Sequence, residues 1–413
     1  MTSTDIRSTG TSHERRITTA LFAAGLTTFA SMYSAQALLP SLSAAFGVAP
    51  ARAALAVSLT TGFLASAIVP VSALSARIGR TRVMTWSAVV SAVIGLLLPL
   101  SPSLEVLLAG RALQGVALAG VPAVAMAYLA EEIGGDGLGA AMGVYVAGTS
   151  IGGLSGRLIP AFALDLASWR WAEAAIAVAA AGCTIWFVRA LPPSRGFVAR
   201  PAGMRTVLSD LGTPLRHGGL LALFGLAFVL VGGFVSIYNF LGYRLTRAPF
   251  ELPAVVAGSV FLLYLAGTLA SAAAGRWADR IGKHRVLAAA VTMMGIGVLV
   301  TIPDRLITIV LGISLCTAGF FGAHAVASTW VGAMAPGNRG AASSLYLFSY
   351  YLGAAIIGSS TGIAYANGGW VGLAICVGAL LAVAAVLVWY LMIRARLGFE
   401  AVAGSRVCAA PAA

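Results

Sequence analysis

Two stretches of this chain, about two hundred residues apart, are written in nearly the same residues. The first is Ser72-Ala-Leu-Ser-Ala-Arg-Ile-Gly-Arg-Thr-Arg-Val-Met84 and the second is Gly275-Arg-Trp-Ala-Asp-Arg-Ile-Gly-Lys-His-Arg-Val-Leu287. Arg77/Arg280, Ile78/Ile281, Gly79/Gly282, Arg82/Arg285 and Val83/Val286 match at one constant offset of 203 in a chain of 413 residues. Each stretch is a short basic loop between two long apolar runs. A period near half the chain is far longer than the roughly 20–50 residues of a solenoid repeat, so it means one architecture built twice.

Composition decides the solvent. The chain is 59% hydrophobic and 9% charged, whereas a soluble domain carries about a quarter charged residues. Apolar runs long enough to cross roughly 30 Å of hydrocarbon as helices recur along it. The expected spans are 17–40, 52–74, 83–100, 104–128, 138–163 and 169–190, then 218–243, 252–274, 284–302, 306–332, 339–362 and 368–393. The runs are continuous and rich in Ala and Leu, which points to helices, not to the ten-residue alternating strands of a barrel. The expected fold is therefore an all-α membrane protein of 12 transmembrane helices in two pseudo-symmetric six-helix bundles. The expected organisation is a tail at 1–16, a bundle at 17–190, a linker at 191–217, a second bundle at 218–393 and a tail at 394–413. Pro192, Pro193, Pro201 and Pro214 among arginines suit a flexible connection.

Charge orients the bundle. With the amino terminus inside, nineteen of the 26 cations fall on the cytoplasmic side and five on the outer side. This bias sets both termini in the cytoplasm, and the basic loops then sit well against anionic lipid. The net charge of +13 is split among loops and not gathered on one face, so a nucleic-acid partner is not expected. The first apolar run is too long for a signal-peptide core and is expected to be retained. Cys183, Cys316, Cys376 and Cys408 are scattered without metal or redox spacing, so no metal, cofactor or disulfide framework is expected. No H-E-x-x-H, no paired intramembrane aspartates and no G-x-x-x-x-G-K-S/T loop occur, which argues against an enzyme and against ATP-driven pumping. A duplicated bundle in lipid points instead to a transporter with one central site.

Several residues stand out within the spans. Arg111, Gln114 and Gly115 share one helix face, with Arg111 roughly 10 Å from the outer end at 1.5 Å per residue. A buried guanidinium is costly and normally marks a pathway, the alternatives being an Arg that snorkels or that locks two helices. Gly148, Gly152 and Gly156 form a four-residue stripe that lets another helix approach closely. Arg157 could pair with Asp165 or Glu173, or snorkel. His324 is the one histidine well inside a span, either a proton relay or a neutral inter-helix hydrogen bonder. The acids, Glu105 and Glu173 among them, fall near helix ends or in loops. Proton coupling would then need Arg111, His324 or one of those two rim acids.

The basic loops resemble the hallmark of the major facilitator superfamily, approximately G-x-x-x-D-R-x-G-R-R, over a likeness running from about 17 to 393. The second copy carries Gly275, Asp279, Arg280, Gly282 and Lys283, and the first has Arg77, Gly79 and Arg80 but Ser72 and Ala76 for the Gly and Asp. The resemblance implies gating loops in which the Asp helps hold the cytoplasmic gate shut, a carboxylate that the first copy lacks. Arg111-Ala-Leu-Gln-Gly-Val-Ala-Leu-Ala-Gly120 resembles the R-x-x-Q-G-x-x-x-x-G stretch of proton-driven exporters. Gly-Gly-Leu-Ser-Gly-Arg157 stands where exporters usually carry a Gly-Pro motif, which is similar to a bacterial branch of proton-coupled drug/sugar efflux permeases. The family's first, fourth, seventh and tenth helices line its cavity. That implies a substrate and proton pathway of Tyr33, Gln36, Arg111, Gln114, Tyr238, Asn239, His324 and Ser328, with Tyr346, Tyr350 and Tyr351 behind them. The function so implied is proton-coupled efflux of a small organic solute by a monomer in the bacterial cytoplasmic membrane. The alternative is a uniporter or importer of a sugar or carboxylate, and the alternative of a different class is an integral-membrane receptor or enzyme, in which the duplicated loops would lack a purpose.

Overall fold

The computed structural model describes residues 3–133, 137–194, 197, 199, 204–335 and 338–407. Of the residues named above, Pro201 and Cys408 lie outside them. Among the described residues every regular element is helical. They run α1 Ser3–Tyr33, α2 Leu39–Phe46, α3 Pro50–Ile78, α4 Arg80–Leu97, α5 Leu104–Leu118, α6 Gly120–Glu132, α7 Leu138–Leu164 and α8 Trp169–Ala190. The second series is α9 Met204–Leu215, α10 Gly218–Leu245, α11 Ala254–Ser259, α12 Tyr264–Ile281, α13 Lys283–Val300, α14 Leu306–Met334 and α15 Arg339–Val407. Among the described residues, ten helical segments are long and apolar enough to cross a membrane. One of them, Arg339–Ala395, has 57 residues, far more than the ~20 of a single crossing. Its backbone leaves the helical region at Gly369, with φ 57° and ψ −147°.

Two expected spans are interrupted. The run at 17–40 is helical only to Tyr33, turns through Ser34–Leu38, and resumes in α2. Pro40 lies in the first turn of α2, where its missing N–H costs nothing, although in a continuing helix it would. The run at 104–128 breaks at Ala119, since Pro122 cannot donate to the Leu118 carbonyl. The linker also differs from a plain flexible connection, because α9 occupies 204–215.

The chain forms two compact units, and they are not the two sequence halves. The first comprises Met1–Leu208, Ser236–Leu262 and Ala354–Asn367, and the second Ser209–Val235, Leu263–Gly353 and Gly368–Ala413. In the first unit, α7 lies along α1. A Cβ at Gly148, Gly152 or Gly156 would run into the backbone carbonyl of Phe22, Leu26 or Ala30 respectively. The four-residue register of the stripe is thus matched by a four-residue register on α1. In lipid, such backbone-to-backbone approach supplies the packing that hydrophobicity cannot.

Segments from late in the chain complete this unit. The Ala254 and Val255 N–H groups donate to the two carboxylate oxygens of Asp165 at 2.8 and 2.9 Å. Ser43 Oγ lies 2.7 Å from Tyr243 Oη, which donates to the Leu39 carbonyl. A Cβ on Gly362 would meet Ala51 Cα at 2.6 Å. Ala51 lies in the first turn of α3, at the end opposite Gly79, and Asp165 caps the C-terminal end of α7. In the second unit, α14 packs on α12 and α13. A Cβ at Gly312 would stand 2.6 Å from the Gly297 carbonyl oxygen, and Trp370 Nε1 donates to Thr301 Oγ1 at 2.9 Å.

Candidate functional site

The break after α1 determines where Arg111 goes. A helix end leaves its last carbonyls without intrahelical donors and carries partial negative charge. Arg111 Nη1 donates to the Ser31 carbonyl at 2.9 Å and Nη2 to the Met32 carbonyl at 2.8 Å, while Nε reaches the Ala56 carbonyl of α3 at 2.9 Å. Nη1 also meets Gln114 Oε1 at 2.7 Å and Ser34 Oγ at 3.1 Å. Gln114 Nε2 in turn donates to the Ser91 carbonyl of α4 at 3.2 Å. Gly115, one position further on the same face, admits the Thr60 backbone of α3. Arg111 is 1% exposed. In this conformation the guanidinium does not snorkel; it ties α1, α3 and α5 together.

Ser34 extends this network to an acid. Its hydroxyl donates to Glu173 Oε1 at 2.9 Å, with the Ser31 carbonyl a second acceptor at 3.3 Å. Glu173 lies only four residues past the start of α8, the reason it reads as a rim acid in sequence, yet it is 4% exposed. Glu105 is the contrasting rim acid, exposed and ion-paired with Arg52 at 2.6 Å.

A second cluster surrounds Arg157. Its Nε donates to Gln36 Oε1 at 2.5 Å and Nη1 to the Gly153 carbonyl at 2.6 Å. The guanidinium stands 3.9 Å from the Tyr33 ring centroid and 5.3 Å from that of Phe261, close enough for cation–π attraction. Both acids considered for Arg157 have other partners: Asp165 takes the two N–H groups of α11, and Glu173 takes Ser34. Gln36 Nε2 donates to Asn239 Oδ1 at 2.8 Å, and Asn239 Nδ2 to the Gly358 carbonyl at 2.9 Å. Tyr238 stacks on Phe261 with centroids 5.5 Å apart. Gln36, Pro40, Tyr238, Gly258 and Phe261 line a cavity of about 50 Å³.

The eight expected pathway residues therefore fall in two places. Tyr33, Gln36, Arg111, Gln114, Tyr238 and Asn239 belong to the first unit, and His324 and Ser328 to the second. His324 Nδ1 lies 3.0 Å from Tyr346 Oη, and its ring packs on Phe320, Tyr346 and Tyr350. Ser328 Oγ donates to the Ala325 carbonyl of its own helix at 3.0 Å.

The basic loops repeat in backbone as well as in sequence. Gly79 has φ 104° and ψ 144°, and Gly282 has φ 96° and ψ 142°, a conformation that a side chain resists. Their side chains differ. Arg80 pairs with Glu131 at 2.9 Å and donates to Ser75 Oγ at 2.6 Å, while Arg77, Asp279 and Arg280 are exposed and Gly275 and Lys283 half-buried.

The family model of the Major Facilitator Superfamily matches residues 21–269 and 247–402, nearly the whole chain. The chain belongs to the major facilitator superfamily. It is 42% identical over 377 residues to the inner membrane transport protein YnfM of Escherichia coli K12, covering 91% of this chain and 90% of that one. It is 38% identical over 382 residues to the uncharacterized MFS-type transporter YybF of Bacillus subtilis 168, covering 92% and 95%. Among solved structures, the peptide transporter POT in complex with sulfate superposes with a TM-score of 0.74 at 15% identity, covering 92% of this chain and 94% of that one. The nucleoside transporter NupG gives 0.73 at 12% identity, covering 92% and 99%. At those identities the structural likeness speaks for the fold alone. On family and relatives together, the chain is a multi-pass membrane transporter and not an enzyme.

Neither the break at Ser34–Leu38 nor the burial of Glu173 enters the sequence reading. Pro40 signals the first, since a proline disfavours helix just before it. For the second the only hint is Glu173 at i+3 from Arg170 and i+4 from Trp169 in a start-of-helix segment, which does not separate rim from interior.

Proposed function

We propose that the protein is a secondary transporter moving a small organic solute by alternating access, with efflux in exchange for protons as its working mode. One observation carries the alternating-access part. Gln36 and Asn239 hydrogen-bond each other, and their numbers differ by 203, the offset that relates the two basic loops. Equivalent positions of a duplicated architecture touch where its pseudo-twofold axis passes. A single amide pair on that axis is a neutral bond worth about 1 kcal/mol, which is readily broken and remade.

Under this reading the contacts of Gln36, Ser43, Ala51 and Asp165 with late-chain segments are the closed outer side. The two six-helix bundles at 17–190 and 218–393 then rock about the axis. Counting α1 as one crossing and dividing α15 at Gly369 supports twelve crossings, with both termini cytoplasmic by the placement of cations. The protein would act as a monomer in a bacterial cytoplasmic membrane. The cations Arg111 and Arg157 favour an anionic or polyhydroxylated solute. The amide and phenol groups beside the cavity, Gln36 and Tyr238, favour hydroxyl-rich solutes, which keeps uniport or import of a sugar or carboxylate as the second reading.

The test joins Gln36→Cys to Asn239→Cys. Oxidation should stop solute flux in proteoliposomes and reduction should restore it; unchanged flux with the disulfide formed refutes the gate. Flux under an imposed pH gradient decides between coupled efflux and uniport.

A further inference from the structure

We propose that Glu173, with Ser34 and Arg111, forms a proton-binding site whose carboxylate takes up one proton and returns it during each transport cycle. The inference rests on the proton-coupled reading above and names the group that carries the proton.

The first support is the cost of leaving that carboxylate permanently charged. Removing an ion from water costs several kcal/mol unless a partner and hydrogen bonds repay it. Glu173 is 4% exposed and receives one hydrogen bond, from Ser34. The ion pairs among the described residues do not include Arg111–Glu173; Ser34 stands between them, accepting from Arg111 Nη1 at 3.1 Å and donating to Glu173 Oε1 at 2.9 Å. Arg111 does not depend on the acid for solvation, because the Ser31, Met32 and Ala56 carbonyls accept from it. Neutralising Glu173 therefore breaks no bidentate pair and leaves no guanidinium without acceptors. A fork-on-fork ion pair would hold its charge; this geometry lets the charge go.

The second support is a hydroxyl that can change partner. With the carboxylate ionised, Ser34 donates to Glu173 Oε1 at 2.9 Å; its other acceptor, the Ser31 carbonyl, lies 3.3 Å away. When a proton adds to a Glu173 oxygen, a new O–H bond forms and the negative charge disappears. The Ser34 hydrogen then turns to the Ser31 carbonyl, and nothing else in the network has to move.

Third, the carboxylate has room for a donor of that proton. Glu173 lines two cavities of about 10 Å³ each, about what one water requires. One is bordered by Ser31, Ser34 and Gln114, the other by Leu107, Arg111 and Trp169. The remaining charged groups on the packed helices are engaged elsewhere. On α7, Arg157 meets Gln36 and Gly153, and Asp165 meets α11. On α8 itself, Arg170 donates to the Ser101 carbonyl. Tyr33 of α1 lies against Arg157, and α4 offers only Ala92 and Gly95 beside the acid.

The experiment reads the proton directly, so it needs no identified solute. Infrared difference spectra of the purified full-length protein in lipid, stepped from alkaline to acid pH, should show a protonated-carboxyl band from a buried group. Glu173→Gln should lose that band, and Glu173→Asp should keep one at an altered position. A full band in Glu173→Gln overturns the proposal, and so does a featureless step in the wild type. If Glu173→Gln does not fold, the same reading passes to Ser34→Ala, where the band must shift for the site to stand. In proteoliposomes, flux driven by a pH gradient should fall about a hundredfold in Glu173→Gln, the scale on which a positioned acid–base group acts. A wild type whose flux ignores the gradient sinks the coupled reading even where the band is present, which separates the two failures.

Discussion

In the first unit Arg111 meets three backbone carbonyls, a serine and a glutamine, and a carboxylate lies one residue further on. In the second unit His324 sits among Phe320, Tyr346 and Tyr350, with one hydrogen bond to a phenol. The repeats align at offsets of 203 in the basic loops and 201 at Gly139/Gly340. The counterpart of Arg111 is therefore one of Gly312, Ile313 and Ser314, none of them a cation. Duplication has kept the loop backbone, while the buried guanidinium of Arg111 has no cationic counterpart at the equivalent positions. The backbone of a repeat answers to packing, which both copies share. A buried charge answers to its own partners, which the two copies do not share.

The sharpest way to break this comparison is Arg111→Ala. It strips donors from the Ser31, Met32 and Ala56 carbonyls and from Gln114 Oε1, all at a site closed to water. Each buried acceptor left without a donor costs about 1–3 kcal/mol, so thermal unfolding in lipid or mild detergent should drop markedly and flux should vanish. Arg111→Lys should rescue only part of it, because an ammonium cannot span carbonyls on α1 and α3 as the planar fork does. Full flux from Arg111→Ala with an unchanged melting profile would remove Arg111 from the mechanism.

Next in size come the loop glycines, where the copies should behave alike. Gly79→Ala and Gly282→Ala force a side chain into φ 104° and 96°, a strain of about 1–3 kcal/mol. Equal losses of stability from the two variants would confirm that both loops do the same structural job. A loss confined to one of them would show the shared backbone to be residual in the other.

His324→Phe should matter less. The ring stack is preserved and one hydrogen bond to Tyr346 is lost, worth about 1 kcal/mol. Flux should stay within about threefold of wild type, less than 1 kcal/mol in the barrier. A loss on the scale of Arg111→Ala would place proton chemistry in the second unit and reverse the comparison drawn above.

Much of this was legible from residue order because it rests on periodicity. The 203-residue repeat and the apolar runs are one-dimensional signals, and the loop glycines are conspicuous in them. The glycine stripe at 148, 152 and 156 is visible for the same reason, though its target at Phe22, Leu26 and Ala30 is not. The site was less legible. Arg111 stood out as a charge within a span, but two of the three carbonyls it meets, those of Ser31 and Met32, are open to it because α1 stops at Tyr33. That stop depends on Pro40 and on what surrounds a short turn. Glu173 is harder still: its distance from the helix start is that of a rim residue, and the packing of α1, α4 and α5 around it removes it from water. The compact units could not be read from the halves, since Asn239, Ala254 and Gly358 join the first unit through hydrogen bonds with partners far away in sequence.

The smallest effect is also the one that best isolates how the two loops differ. Arg80 bonds Glu131 and Ser75; at offset 203, Lys283 corresponds to Arg80 and Ala278 to Ser75. At offsets of 201 to 203 from Glu131 stand Gly332, Ala333 and Met334, so no acid is available to the second copy there. The second copy instead carries Asp279, where the first has Ala76. The Arg80 and Glu131 side chains are 16% and 30% exposed, so solvent screens them and their coupling should be about 0.2–1 kcal/mol. A double-mutant cycle over Arg80→Ala and Glu131→Ala, read by thermal unfolding, should return a coupling in that range, while Lys283→Ala should cost nothing measurable. If Lys283→Ala proves as costly as Arg80→Ala, the second loop has a partner of its own, and the two copies are alike in chemistry as well as in backbone.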